Sequence, residues 1–228
     1  MEMQKPIFYL TILLALSAGY CDTVTFISVD NLFSAHVTGN FIVFAYDILK
    51  HADTDSWLKL LSFPVFIIAV ICGGNIAAGS RSSVAILVIE GMVLTASGIS
   101  WIVFSMAGLD SHQWVSLSVA MCVVFSMGLQ NAFGKIFSKE TYGPTTMMTG
   151  NVTQAALDLG KLVKNGAGDL ATAGSLRNQA ITISGFLVGC LLGAVLGKIF
   201  GLAAVLLPGL AITIYAISKQ ELGPADNH

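Results

Sequence analysis

The feature that most constrains this chain is a series of long apolar stretches. A helix that crosses the ~30 Å hydrocarbon core of a bilayer needs about 20 apolar residues. Six stretches meet or approach this length, and the last of them is short and contains Pro208. They cover residues 7–29, 60–79, 84–107, 114–134, 179–200 and 202–218. The pattern predicts an all-α integral membrane protein with six transmembrane helices in the lipid bilayer.

The composition points to the same class of protein. Only 11% of the 228 residues are charged, and the mean hydropathy is +0.79, whereas soluble domains carry about 25% charged residues. The basic residues are scattered and the net charge is −2, so no nucleic-acid partner is indicated. The four cysteines lie singly in separate apolar stretches. We therefore expect no disulfide, no metal site and no cofactor.

Two further stretches look helical but are too short or too polar to cross a bilayer alone. They cover residues 38–50 and 149–164, and each begins with the tripeptide Thr-Gly-Asn, which we call the TGN motif. The two motifs are 111 residues apart, and an Asp and a Lys recur at the same offset. The matched pairs are Thr38 and Thr149, Gly39 and Gly150, Asn40 and Asn151, Asp47 and Asp158, and Lys50 and Lys161.

Matches outside the motifs indicate that the whole chain is duplicated. Upstream, the stretch GYCD resembles GLQN, which places Asp22 opposite Asn131. Downstream, at an offset of 120, Phe66 matches Phe186 and Gly73 matches Gly193. The predicted halves cover about 7–107 and 113–218 of a single membrane domain, 1–228. Because each half carries three spans, an odd number, we expect the second half to be inverted relative to the first.

The basic residues test this topology, because cytoplasmic loops are enriched in Lys and Arg. If the TGN helices do not cross, eight basic residues fall on the side of the N-terminus and three on the other. The eight are Lys5, Arg81, Lys135, Lys139, Lys161, Lys164, Arg177 and Lys219, and the three are Lys50, Lys59 and Lys198. Eight spans, with TGN helices that cross, would give seven against four and parallel halves. The count favours six spans with both termini in the cytoplasm.

The TGN motifs are the main candidates for a binding site. A helix that begins inside a membrane exposes its first N–H groups, which Thr and Asn side chains can cap and which favour an anion. Irregular segments, VDNLFSAHV and ETYGPTTMM, precede the two motifs. This predicts two re-entrant half-helices whose Thr, Gly and Asn residues face one shared site. The alternative is a pair of ordinary capped helices at the interface.

Asp22 is a further candidate for solute binding, together with its counterpart Asn131 and the adjacent Gln130. Asp22 follows fifteen mostly apolar residues. An ionised acid inside a bilayer costs ~3 kcal/mol or more, so such acids are usually functional. Asp22 would bind a cation, carry a proton or hydrogen-bond a solute, unless the first span ends early and leaves it in water.

Three other acidic residues are secondary candidates. Asp47 and Asp158 lie seven residues after the Asn of each motif, nearly two turns, and so share its helix face. Each could instead pair with the Lys three residues further on. Glu90 lies about two turns into its span and could snorkel to the surface. A single histidine, His36, precedes the first motif and is interpreted as structural.

A row of glycines predicts close helix packing in the second half. The five glycines are spaced four residues apart, at Gly185, Gly189, Gly193, Gly197 and Gly201. Such a row lets helix backbones approach closely. Packing within the chain is the first interpretation, and the seam of a homodimer is the alternative.

The pairing of GYCDTVTF with HVTGN, and of GLQNAF with TTMMTGN, resembles the YoaK-like family of bacterial membrane proteins, a domain of unknown function. The resemblance covers about residues 10–218. Members of that family usually carry Asn-Met before the first motif, where this chain has His36-Val37. The resemblance implies a multi-pass protein of the bacterial plasma membrane and supplies no substrate.

Two functions from different classes fit these residues. The first is a small transporter or permease that binds a small polar or anionic solute at a midplane site between the halves, with proton or cation coupling. The second is a membrane scaffold or assembly partner that does not transport. The sequence contains no catalytic triad, paired carboxylates or nucleotide loop, so we expect no enzyme activity and no catalytic residue.

Overall fold

The computed structural model describes residues 5–50, 56–80, 82–110, 112–165 and 169–221, and these residues form helices and no strand. The α-helices are α1 (Lys5–Ser28), α2 (Gly39–Leu49), α3 (Ser62–Ser80), α4 (Ser83–Met106), α5 (Gln113–Ile136), α6 (Met148–Asn165), α7 (Leu170–Phe200) and α8 (Leu206–Glu221). Short 3-10 helices, Ser56–Leu61 and Gly201–Val205, lead into α3 and α8. Arg81, which entered the charge count, and both termini lie outside the described residues.

Five segments are long and apolar enough to cross a bilayer, which confirms the predicted membrane class. They are Lys5–Ser28, Ser56–Ser80, Ser83–Met106, Gln113–Ile136 and Leu170–Lys219. The fifth contains both α7 and α8, with the 3-10 helix that begins at Gly201 between them. This last glycine of the row has a φ of +58°, in the left-handed region that glycine occupies without strain. The two spans predicted for 179–200 and 202–218 therefore lie in one apolar segment, in which the α-helix is interrupted after Phe200.

The two TGN helices differ in length. Helix α2 has 11 residues, about 16 Å at 1.5 Å per residue, so it is too short to cross the bilayer. Helix α6 has 18 residues and carries polar residues along one side. Its apolar residues Val152, Leu159 and Val163 are exposed. As expected, neither segment belongs to the five that could span a membrane.

The helices pack in pairs from different parts of the sequence. Helix α7 lies along α1, α3 lies along α5, and α8 lies along α4. A Cβ atom on Gly189 would lie 2.1 Å from the carbonyl oxygen of Leu16, and one on Gly193 would lie 2.6 Å from that of Tyr20. The glycine row of α7 is therefore occupied by α1 of the same chain. This is the packing within the chain that was the first interpretation of the row.

We expect Gly189→Ala to lower the free energy of unfolding by about 1–3 kcal/mol, because the added methyl group would force α1 and α7 apart. Gly74→Ala in α3 is the matched control, since a Cβ atom there meets no atom within 4 Å. Alanine favours helix over glycine, so the control should be neutral or slightly stabilising. Thermal unfolding in lipid nanodiscs measures both changes. A Gly189→Ala protein with the wild-type Tm would contradict this packing.

Candidate functional site

Asp22 lies inside α1 and is only 5% exposed. Its Oδ1 atom accepts hydrogen bonds from the backbone N–H groups of Ser34 and Ala35, each at 2.8 Å. Its Oδ2 atom lies 2.6 Å from Nδ1 of His36. The first span therefore does not end early. The carboxylate holds the non-helical segment 29–38, which we call the first lead-in.

His36 is the residue of the first lead-in that meets both Asp22 and an open pocket. Its side chain is 37% exposed, and its ring packs edge-to-face against Phe186 of α7, with 5.6 Å between the ring centroids. The hydrogen bond that His36 donates to the Asp22 carboxylate raises the pKa of His36 above its usual 6.5, although partial burial opposes the shift. Sequence reasoning treated His36 as structural, because nothing in the chain spacing shows that Asp22 folds onto it.

The Asn of each TGN motif binds the backbone seven residues upstream. Asn40 Oδ1 accepts a hydrogen bond from the N–H of Phe33 at 2.8 Å, and Asn40 Nδ2 donates to the carbonyl oxygen of Phe33 at 2.9 Å and to Ser62 Oγ at 2.8 Å. Asn151 Nδ2 donates to the carbonyl oxygen of Pro144 at 2.7 Å. Proline has no N–H group, so the second half forms only one of the two backbone bonds.

The Thr and the Gly of each motif do not form the capped helix tip that was expected at a binding site. Thr38 makes no side-chain capping hydrogen bond, and Thr38, Thr149 and Gly150 are all exposed. Gly39 lets the ring of Phe33 lie against the backbone, since a Cβ atom there would be 3.0 Å from that ring. The buried Asn, rather than the Thr, therefore fixes the geometry of each motif.

Gln130 holds the segment before the second motif, residues 137–147, which we call the second lead-in. Gln130 is fully buried, and its Nε2 atom donates to the carbonyl oxygen of Leu14 and to Thr145 Oγ1, each at 2.8 Å. Asn131, the expected counterpart of Asp22, is half-buried, and no side-chain hydrogen bond is found for it among the described residues. Gln130 therefore plays the part in the second half that Asp22 plays in the first.

The two lead-ins contact different parts of α1. The first is bound at Asp22, whereas the second is bound at Leu14 and at Thr11, whose Oγ1 accepts the N–H of Tyr142 at 3.0 Å. Eight residues of helix, about 12 Å, separate Leu14 from Asp22. The lead-ins thus approach the middle of α1 from opposite directions.

A pocket of about 380 Å³ lies between the first lead-in, α1 and α7. Most of its wall is apolar, and its polar groups are Asp22, Thr23 and the His36 ring. It is lined by Asp22, Thr23, Phe26, Phe33, His36, Gly39, Phe186 and Cys190. Gln130, Asn131, Thr149, Gly150 and Asn151 are not among the residues that line this pocket. The two motifs pack on different partners, with α2 on the 3-10 helix Ser56–Leu61 and α6 on α7.

Asp47 forms an ion pair that the sequence did not predict. Its carboxylate contacts the ammonium group of Lys59, which also lies 2.7 Å from Asp30 Oδ2. Lys50, three residues after Asp47, instead lies over the ring of Tyr46, 4.8 Å from its centroid. The alternative that Asp47 pairs with Lys50 is therefore wrong. The sequence did not indicate Lys59 as the partner, because twelve residues separate it from Asp47 and no helical period relates the two positions.

Asp158 and Glu90 are buried, with oxygens that lack hydrogen bonds. Asp158 Oδ1 accepts a hydrogen bond from Gln154 Nε2 at 2.8 Å and lies 3.9 Å from Lys161 Nζ, while Oδ2 has no partner. Glu90 is fully buried in α4, and within the described part of the chain neither carboxyl oxygen has a hydrogen-bond partner. The expectation that Glu90 snorkels to the surface is therefore wrong.

Residues 10–218 match the model of a family described as protein of unknown function, DUF1275. The chain belongs to this family. The resemblance to YoaK-like proteins is thereby confirmed, because YoaK is a DUF1275 member. No curated protein and no solved structure matches the chain. For this DUF1275 protein, the functional argument therefore rests on the geometry of the site.

The unequal hydrogen bonding of the two motifs gives a testable difference. In this DUF1275 protein, Asn40→Ala removes three hydrogen bonds and should cost about 2–4 kcal/mol of unfolding free energy, whereas Asn151→Ala should cost about 1 kcal/mol. The two variants control for one another, and their thermal unfolding in nanodiscs gives the comparison. An Asn151→Ala cost equal to or above that of Asn40→Ala would rule out this assignment.

The His36 interaction predicts a pH-dependent stability. The pKa of His36 is raised in the folded DUF1275 protein, so its contribution to stability is fully present below about pH 6.5 and is lost as the pH rises through the higher folded pKa. The unfolding midpoint of wild type minus that of His36→Gln, followed from about pH 5.5 to about pH 9, should decline across this window. His112→Gln, at an exposed histidine before α5, is the control. A flat difference for His36→Gln would contradict the pairing.

Proposed function

We propose that this protein is a small membrane transporter that binds its solute in the pocket beside His36. The observation that carries the proposal is the pair of Asp22 and His36, placed among apolar helices at the wall of the pocket. Ionisable groups at membrane depth are costly and are usually retained for function. The pocket volume of about 380 Å³ lies in the range of small-molecule sites.

The lining of the pocket indicates the chemistry of the solute. Asp22 already accepts hydrogen bonds from the first lead-in, and the N–H of Gly39 donates to the carbonyl oxygen of His36 at 2.7 Å. The tip of α2 therefore offers a solute little free hydrogen-bonding capacity. The imidazole of His36 and the rings of Phe33 and Phe186 are what the pocket presents. They suit a small solute with an apolar body and one polar or anionic group.

We infer six crossings, with α2 and α6 as half-helices, and this topology has support from contacts at the membrane faces. The hydroxyl of Tyr215 in α8 donates to the carbonyl oxygen of Pro6 at 3.4 Å, and Lys219 lies 2.5 Å from Glu140 at the start of the second lead-in. The end of α8, the start of α1 and the second lead-in thus meet at one face. The first lead-in follows the other end of α1, at Ser28.

Matching contacts in the two halves support an inverted repeat. A Cβ atom on Gly19 would lie 2.2 Å from the carbonyl oxygen of Phe186, and one on Gly128 would lie 3.1 Å from that of Phe66. In the sequence repeat Gly19 matches Gly128, and Phe66 matches Phe186. Helix α1 packs on α7, and α5, the repeat counterpart of α1, packs on α3, the counterpart of α7. A transporter with two related halves can alternate by rocking one against the other. The alternative of a scaffold loses its interaction face, since the glycine row is occupied within the chain.

Uptake by proteoliposomes tests this function. With a panel of small aromatic and branched aliphatic carboxylates and amides, we expect saturable uptake that falls roughly tenfold or more in His36→Ala and Asp22→Asn, because tenfold corresponds to the loss of a single charged hydrogen bond. Asp110→Asn, at an exposed residue outside the pocket, is the matched control and should keep wild-type uptake. Uptake that survives both pocket changes would refute the site.

A further inference from the structure

The two halves differ at the position that neutralises a buried carboxylate. At the repeat offset of 111, Asp47 matches Asp158, and at the offset of 120, Lys59 matches Gln179. In the first half the ammonium group of Lys59 lies between Asp47 and Asp30. Gln179 carries no charge, so the second half holds the same carboxylate without the cation that accompanies it in the first.

The oxygens left over in the second half are buried and unpartnered. Asp158 is 2% exposed and Gln179 is 9% exposed. Asp158 Oδ2 and Gln179 Oε1 both lie away from solvent and have no hydrogen-bond partner among the residues that the structure describes. Lys161 does not replace Lys59, because its side chain is 60% exposed and approaches only Oδ1, at 3.9 Å. The contacts of Asp158 with Gln154 and Lys161 are both made through Oδ1. Because an incompletely compensated buried carboxylate is destabilising, Oδ2 is a favourable position for a cationic ligand.

Gln179 also lies beside the second TGN motif. A Cβ atom on Gly143 would lie 3.2 Å from Asn151 Oδ1 and 3.7 Å from Gln179 Oε1, so these two amide oxygens border the same space. Pro144 cannot supply the N–H group that Phe33 gives to Asn40. Acceptor oxygens therefore lie at the interface of α6 and α7, at positions where the first half has hydrogen-bond donors.

We propose that a monovalent cation, Na⁺ or K⁺, binds between α6 and α7 at Asp158 and Gln179, in the place that the Lys59 ammonium group occupies in the first half. Carboxylate and amide oxygens are the ligands that hard cations prefer. One carboxylate with neutral oxygens balances a single positive charge. This proposal rests on the repeat arrangement given under the proposed function and supplies a coupling ion for the transporter.

Thermal unfolding without any solute tests the cation site. The purified protein in nanodiscs is compared in sodium chloride, potassium chloride and N-methyl-D-glucamine chloride at equal ionic strength. We expect Tm to rise by several degrees, saturably, in at least one of the two metal salts. Asp158→Asn should lose this rise. Gln179→Lys should lose it as well and should reach a Tm in N-methyl-D-glucamine chloride as high as that of the cation-bound wild type.

Lys161→Gln is the control at a neighbouring charge and should keep the cation response. Equal wild-type Tm in all three salts would overturn the proposal. If Asp158→Asn does not fold, Gln179→Lys decides, since a retained cation response in that variant also overturns the site. The readout needs no transport, so a failed cation test leaves the His36 uptake experiment standing, and a failed uptake experiment leaves this test standing.

Discussion

The structure depends on one requirement, that polar backbone groups inside a membrane bundle must find partners within the protein. The two lead-ins lie against α1. Because they are not helical, they do not pair their own backbone N–H and C=O groups as a helix does. Asp22, Asn40, Gln130 and Asn151 supply the missing hydrogen bonds from the flanking helices. Most of the polar residues that look like a binding site in the sequence are thus used to fold the interrupted segments.

The polar groups that are not used to bind the lead-ins lie in a few places where the two halves differ. Asp22 in the first half is an ionisable residue that contacts His36, whereas Gln130 in the second half is an amide that donates to Thr145. The second half in turn lacks the buried Lys of the first. The proposed solute site therefore lies beside the first lead-in and the proposed cation site beside α6, and each arises at a position where the two halves differ.

The sequence predicted the membrane class, the apolar segments and the two short TGN helices, because length and hydropathy alone determine these features. It also singled out the Asn of each motif and Asp22, but as candidates for solute binding and with the alternative that Asp22 reaches water. It did not predict the partners of these side chains. Asp22 and His36 are fourteen residues apart, Asp47 and Lys59 are twelve apart, and no helical or strand period relates either pair. It placed Asn131 opposite Asp22, whereas the adjacent Gln130 holds the lead-in, since an alignment of four residues does not determine which neighbour faces inward.

The central claim, that the pocket beside His36 opens to water and serves a solute, is tested most directly by the reactivity of Cys190 at its wall. Thiols react with charged methanethiosulfonates as thiolates in contact with water. A protein in which Cys190 is the only cysteine is compared with one that retains only Cys122, which lies on the exposed apolar side of α5. The account predicts that a membrane-impermeant reagent modifies Cys190 from one side of the membrane and leaves Cys122 unmodified. A Cys190 as inert as Cys122 from both sides would show that the pocket faces lipid.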